Sequence, residues 1–180
     1  MKSVENTLRK KCSEEEVEQI INTKEMIKTA IQQTRTMAKN MIPVKLETEG
    51  LPHALEDLAN FARTVYKLNV ETKIDNEITG INKITETQIY HIAQEAINNA
   101  VKHSGGDKLS ITLNILQSEL VLSVNDNGKG MSNERSGGIG VSIMKYRANL
   151  INGTIFLHTE KGEGTLVICR VPLPSSEKNL

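Results

Sequence analysis

Gly106 marks a change of hydrophobic period, and that change confines the chain to one class of fold. Before it, Ile89, Ala93, Ala96, Ile97, Ala100 and Val101 gather on one half of a helical wheel. Beyond it, Leu109, Ile111, Leu113 and Ile115 alternate with polar residues, as do Leu120, Leu122 and Val124. Such alternation belongs to strands with one buried and one wet face, so a second layer must cover the apolar side. Gln117-Ser118 between the two runs predicts a hairpin. Residues 128–138 read as a polar, Gly-rich loop and 139–150 as a helix. A second hairpin is expected from 154–159 and 166–171, turning at Lys161-Gly162-Glu163-Gly164. The order α-β-β-loop-α-β-β predicts an α+β chain: a two-layer α/β sandwich with its helices on one face.

The first 42 residues differ, containing neither Gly nor Pro. Ser13 followed by Glu14, Glu15 and Glu16 is a helix start, a capping oxygen with three acids at the positive end of the dipole. Val17, Ile20, Lys24, Ile27, Ile31, Thr34, Ala38 and Met41 then step by three and four, a heptad seam with polar breaks at Lys24 and Thr34. Val4 and Leu8 fit the end of a preceding helix. A single amphipathic helix needs a partner, so residues 14–41 predict a homodimer contact or one arm of a hairpin. A surface helix packed on the main domain is the plainer alternative. Pro43 ends this helix. Residues 43–52 read as a linker, and a helix follows from about Pro52 with Ala54, Leu55, Leu58, Ala59 and Ala62 on one side. Val70 to Ile74 alternates weakly, Asn76 to Asn82 is a turn-rich break, and a long helix covers 85–103 up to Ser104-Gly105-Gly106. The expected organisation is a helical segment over 1–42, a linker over 43–52, a main domain over 53–174 and a tail over 175–180.

Charge and composition exclude several functions. Lys+Arg and Asp+Glu number 22 each, so there is no basic excess to displace counterions from nucleic acid. Aromatic residues make up 3% with no Trp, which argues against a base-stacking platform for single strands. Cys12 and Cys169 form no disulfide framework and read as reduced thiols. No apolar run reaches the ~18 residues of a membrane span, and Met1-Lys2-Ser3-Val4-Glu5 lacks a signal-peptide core. A cytoplasmic location is expected, with the chain standing alone or as the cytoplasmic part of a longer, membrane-anchored protein.

Four segments carry chemistry. On the 85–103 helix, Glu95, Asn99 and Lys102 fall within a strip about 60° wide at α-helical spacing. A carboxylate, an amide oxygen and an ammonium together can hold a divalent cation and a phosphate, and Mg²⁺ suits such oxygen ligands. Alone, the strip is also what a solvated helix face looks like. Asp126-Asn127-Gly128-Lys129-Gly130 follows a strand, where glycines let a planar ring lie against backbone. The Asp126 carboxylate accepts from the adenine amine and repels the carbonyl that guanine presents at that position. Gly137-Gly138-Ile139-Gly140-Val141 opens a helix, a place where free N–H groups attract phosphate. Gly162-Glu163-Gly164-Thr165 enters the last strand with a hydroxyl that can face the same pocket. Each of the last three is, by itself, also an ordinary turn.

Their order and spacing decide. Gln94-Glu95-Ala96-Ile97-Asn98-Asn99-Ala100-Val101-Lys102-His103 resembles the N box of the histidine-kinase ATPase superfamily, which includes gyrase and mismatch-repair ATPases. Asp126-Asn127-Gly128-Lys129-Gly130 resembles its first glycine box. Gly138-Ile139-Gly140-Val141 with Ile143-Met144-Lys145-Tyr146-Arg147-Ala148 resembles the second, in the nitrate-sensor subfamily of sensor kinases. Val141 stands there where a leucine is usual. Gly162-Glu163-Gly164-Thr165 with Val171-Pro172-Leu173-Pro174 resembles the closing strand of that subfamily, and Ile42-Pro43, Leu46, Gly50-Leu51 and Ala54-Leu55 its linker.

The resemblance implies an ATP-binding catalytic domain of a two-component sensor histidine kinase, preceded by a remnant of its dimerisation hairpin. Asn99 would then be the Mg²⁺ ligand and Asp126 the adenine reader. Gly128 and Gly130 would allow close approach to the base, and Thr165 would hydrogen-bond near it. Lys102 and His103 would lie near the phosphates, and Gly138 and Gly140 would shape the hinge of a lid over 131–137. Glu95, which activates water in ATPase relatives, would tune the site. A response regulator is the implied partner of the full-length kinase. The four histidines, His53, His91, His103 and His158, all lack the context of a phosphoacceptor, so that group is expected outside this chain. Two related alternatives share the motifs: an anti-sigma-factor serine kinase acting by partner switching, and a conformational ATPase of the gyrase type.

Overall fold

The computed structural model describes residues 16–27, 43–130 and 138–173. The chain divides into two compact units, Met1–Met41 and Ile42–Leu180. In the first, residues 16–27 form a helix (α1), with Val17 buried and Ile20, Met26 and Ile27 exposed. Half of the expected seam, Ile31, Thr34, Ala38 and Met41, lies outside the described residues, as do Cys12 and the start at Ser13.

The second unit holds a five-stranded sheet in the order β1-β2-β3-β5-β4. The strands are β1 (Asn69–Ile74), β2 (Lys108–Leu116), β3 (Glu119–Asp126), β4 (Thr154–Glu160) and β5 (Gly164–Pro172). β1 pairs parallel with β2, and the other neighbours are antiparallel. The alternation expected of the sequence sets the faces. Leu109, Ile111 and Leu113 of β2, Leu120, Leu122 and Val124 of β3, and Val167, Cys169 and Val171 of β5 are buried together. Gln117 and Ser118 take φ of 50° and 64°, the left-handed pair that closes a two-residue hairpin with the right twist. The Cys169 thiol is free and fully buried, and burial pushes its pKa up to about 12.

Helices cover the apolar face. α3 (Leu51–Val65) follows the short α2 (Val44–Thr48), and α4 (Lys83–Asn99) crosses between the parallel strands β1 and β2. α5 (Ile139–Asn149) precedes β4. The cap of α4 is Asn82, whose Oδ1 accepts from the Thr85 N–H at 2.8 Å. Ile89, Ile92, Ala93, Ala96 and Ile97 of α4 join Leu51, Leu55 and Ala59 of α3 in one core.

Within residues 43–52, expected as linker, Val44–Thr48 form the short helix α2 and Leu51 begins α3, and the segment is packed. Leu46 is 1% exposed, and the Lys83 ammonium donates to the carbonyls of Leu46 (3.2 Å) and Glu47 (3.3 Å). A single turn with one buried residue leaves no period to read, so Pro43 and Gly50 dominate the sequence signal there.

Candidate functional site

The sheet ends in an acid. Asp126 closes β3 on the buried face, 7% exposed, and sits opposite Thr165 of β5. Burial raises its pKa, opposed by hydrogen bonds from the N–H groups of Gly128 and Thr165. The Gly128 bond is 2.8 Å long, to Oδ1. A carboxylate placed there by two backbone donors keeps lone pairs for a ligand that donates. Thr159 of β4 donates its hydroxyl to the Gly164 carbonyl (3.1 Å) and lies 3.3 Å from the Thr165 hydroxyl.

The helix α4 does not stop at Asn99. It opens into a π turn, Ala100–Ser104, ended by Gly105 at φ 69°. The Ser104 carbonyl accepts from the Lys129 N–H at 2.8 Å, tying this corner to the loop after β3. Gly128 is buried against it: a Cβ there would run into the Cβ, Cα and carbonyl of Ser104. Gly130 (φ 67°) lies against the Glu160 carbonyl, and the Gly162 N–H donates to the Lys129 carbonyl at 2.9 Å. The first glycine loop is therefore clamped between the N-box corner and the β4–β5 hairpin.

Gly140 brings the second glycine segment to the same place. A Cβ on it would stand 2.5 Å from Glu95 Oε1, 3.2 Å from Asn99 Nδ2 and 3.4 Å from Asn99 Oδ1. Gly138 is the exposed cap residue of α5, with φ −59° and ψ 157°, and its carbonyl accepts from the Ser142 N–H at 3.1 Å. Glu95 and Asn99 are half-buried, whereas Lys102 and His103 stand exposed on the π turn. From Ala100 on the helix is wound as a π turn, so the α-helical spacing that put Lys102 on one strip with Glu95 and Asn99 applies only as far as Asn99. The expected lid, 131–137, lies outside the described residues.

A path through two groups of contacts, Thr165–Asp126–Gly128–Ser104 and Asn99–Glu95–Gly140, is completed by the chain itself, which runs from Asn99 through the π turn to Ser104. It has two kinds of end: a dry carboxylate beside glycine backbone, and a half-buried amide and carboxylate at a helix start. The first suits a donor-bearing ring, and the second a phosphate chain with its cation. Among the described residues no group of three His, Cys, Asp or Glu could hold a metal by itself. A cation at Asn99 would share its ligands with phosphate oxygens and water, the usual manner of Mg²⁺. Sequence reasoning passed over Ser104, Asn127 and Thr159. Ser104 acts through its carbonyl on Lys129, Asn127 on residues about 20 positions back, and Thr159 across the strand pair β4–β5, none of which a local motif signals.

Residues 84–175 match the family described as Histidine kinase-, DNA gyrase B-, and HSP90-like ATPase. The sensor histidine kinase LiaS of Bacillus subtilis (strain 168) is 32% identical over 171 residues, covering 94% of this chain and 47% of LiaS. The signal transduction histidine-protein kinase/phosphatase DegS of the same organism is 26% identical over 181 residues, covering 94% of this chain and 46% of DegS. The chain spans about half the length of these curated relatives. Two solved structures share the fold. The histidine kinase domain of the Erythrobacter litoralis EL346 blue-light activated histidine kinase has a TM-score of 0.61 at 19% identity, covering 68% of this chain and 61% of that one. The Acinetobacter baumannii histidine kinase AdeS has 0.59 at 17%, covering 92% and 87%. No helix among the described residues is long and apolar enough to cross a membrane. With its two glycine segments brought to one N-box helix, and with this match, the chain belongs to the histidine kinase-, DNA gyrase B- and HSP90-like ATPase family.

Proposed function

We propose that residues 53–174 form the ATP-binding catalytic domain of a two-component sensor histidine kinase, and that 1–42 belong to its dimerisation hairpin. The observation that carries this is the meeting of Gly140 with Glu95 and Asn99, one helix away from Asp126. Asp126 accepts from the adenine amine, with Thr165 beside it and the Gly128–Gly130 backbone against the ring. Asn99 holds Mg²⁺, with Lys102, His103 and the start of α5 at Gly138 and Gly140 near the phosphates. Mg²⁺, when bound, neutralises phosphate charge. The protein's own part is alignment, since phosphoryl transfer asks chiefly for positioning and charge compensation. Glu95 tunes this end.

The acceptor imidazole belongs to none of the four histidines. His91 is buried on α4, its pKa lowered by burial and by the Arg147 charge. His53 shares a hydrogen bond with the Glu49 carbonyl (3.0 Å), and His158 is exposed beside Glu160 at 3.5 Å. His103 sits within the N box. The phosphoryl group then passes to a response-regulator aspartate in the full-length kinase. Incubation with γ-labelled ATP and Mg²⁺ tests this: the chain binds ATP in titration calorimetry yet takes up no acid-labile label. Strong self-labelling at any histidine overturns the reading.

A further inference from the structure

Asn127 lies between the adenine-reading acid and the buried glycine, and none of the roles above uses it. Its Oδ1 accepts from the N–H groups of Asp107 (3.1 Å) and Lys108 (2.9 Å), 20 and 19 residues away. Its Nδ2 donates to Asp107 Oδ1 at 2.9 Å. Two backbone donors aimed at one atom identify it as the oxygen, so both ends of the amide are engaged. An Asn in an ordinary Asn-Gly turn bonds its own loop; this one bonds the entry to β2, just past the N-box corner. Gly106 packs against the same oxygen and against the Gly128 N–H, with no room for a Cβ. Asp107 answers in kind, since the Asn127 amide holds its carboxyl below the usual range.

We infer that Asn127 is a positioning residue for Asp126, fixing the adenine-reading carboxylate through a two-way amide lock on Asp107 and Lys108. This rests on the nucleotide reading above. The Asp126 carboxylate takes its orientation from the Gly128 and Thr165 N–H groups, and Gly128 is held by the Ser104 corner and Gly106 on one side and by residue 127 on the other. With the lock in place the carboxylate cannot turn away from a ring that offers a carbonyl instead of an amine. Without it, rejection of guanine weakens along with binding of adenine.

The test measures ADP and GDP affinity, and thermal stability, for the 180-residue chain and its variants. Asn127→Ala is expected to weaken ADP by about fivefold, the size of one ordinary hydrogen bond, and to leave GDP nearly unchanged. Asn127→Asp places a carboxylate against that of Asp107 and lowers ADP preference as well. The double variant Asn127→Asp with Asp107→Asn exchanges donor and acceptor across the pair and restores that preference. A lower melting temperature with an unchanged ADP-to-GDP ratio in Asn127→Ala overturns the inference. If Asn127→Ala fails to fold, the other two decide: equal preference in Asn127→Asp and the double variant overturns it. A wild-type chain that binds ADP and GDP alike refutes the reading of Asp126 itself, and the inference falls with it.

Discussion

The two ends of the site are built by different means. At the base end Asp126 is 7% exposed, bonded by backbone N–H groups and flanked by a glycine that touches backbone. At the phosphate end the three atoms nearest to a Cβ on Gly140 are the far ends of two side chains, those of Glu95 and Asn99. Backbone cannot swing aside, whereas a carboxylate or an amide can turn about its own bonds. On the function proposed above, the base end is set before any ligand arrives and the phosphate end is completed by what binds. Selectivity for the base then resides in fixed geometry, and affinity for the phosphates in adaptable side chains.

Substitutions that separate the ends should rank in the same order. Gly128→Ala should have the largest effect, because its Cβ collides with Ser104 and displaces the Gly128 N–H from Asp126. Overpacking of this kind costs about 1–3 kcal/mol, and the lost carboxylate geometry adds to it. Calorimetry should find ATP binding weakened by about a hundredfold. Affinity within twofold of wild type would mean the base end is not rigid.

Asp126→Asn should follow, at about 1.5–3 kcal/mol or tenfold and more, with or without Mg²⁺. Its stability should move the other way. Asp126 has a raised pKa in the fold, so the stability it contributes is full below the unfolded value and is lost as pH rises through the folded one. At neutral pH the ionised carboxylate thus costs stability, and Asp126→Asn should melt no lower than wild type. By the same titration, ATP affinity should fall as pH drops through the raised Asp126 pKa, and that dependence should vanish in Asp126→Asn. A variant that both melts lower and keeps its ATP affinity would assign Asp126 to structure alone.

Asn99→Ala should weaken ATP about tenfold in Mg²⁺ and little in chelator, since the lost contact passes through the ion. Equal losses at Asn99 and Asp126 with respect to metal would erase the distinction between the ends. Gly140→Ala should be the mildest, about two- to threefold, because the nearest atoms its new methyl meets are side-chain ends of Glu95 and Asn99 rather than backbone. A loss as large as that of Gly128→Ala would show that the phosphate end is rigid too.

Much of this was legible in the residues. The faces of β2 and β3 follow from Leu109 to Leu113 and Leu120 to Val124, because burial of one face enforces alternation. The hairpin at Gln117-Ser118 and the strand-end position of Asp126 follow likewise. The packing of residues 43–50 did not show, because one buried Leu46 makes no pattern. Nor did the π turn, whose composition matches that of the helix it extends. Asn127 was legible only as half of an Asn-Gly turn, since its partners Asp107 and Lys108 lie about 20 residues back, at the entry to β2. Motifs disclose which residues meet a ligand, but the residues that hold them in place are scattered by the fold.

The π turn Ala100–Ser104 has a consequence for how this corner can change over generations. A π turn spends one residue more than an α-helix does over the same stretch. A one-residue deletion there would relax into plain α-helix and leave Ile89 to Ile97 in their places. The flanks would keep their places, whereas a deletion within the regular α-helix before it would rotate everything beyond by about 100° and carry the Ser104 carbonyl away from the Lys129 N–H. The π turn is thus the one stretch of this described helix where chain length can change by a residue without moving the corner that follows.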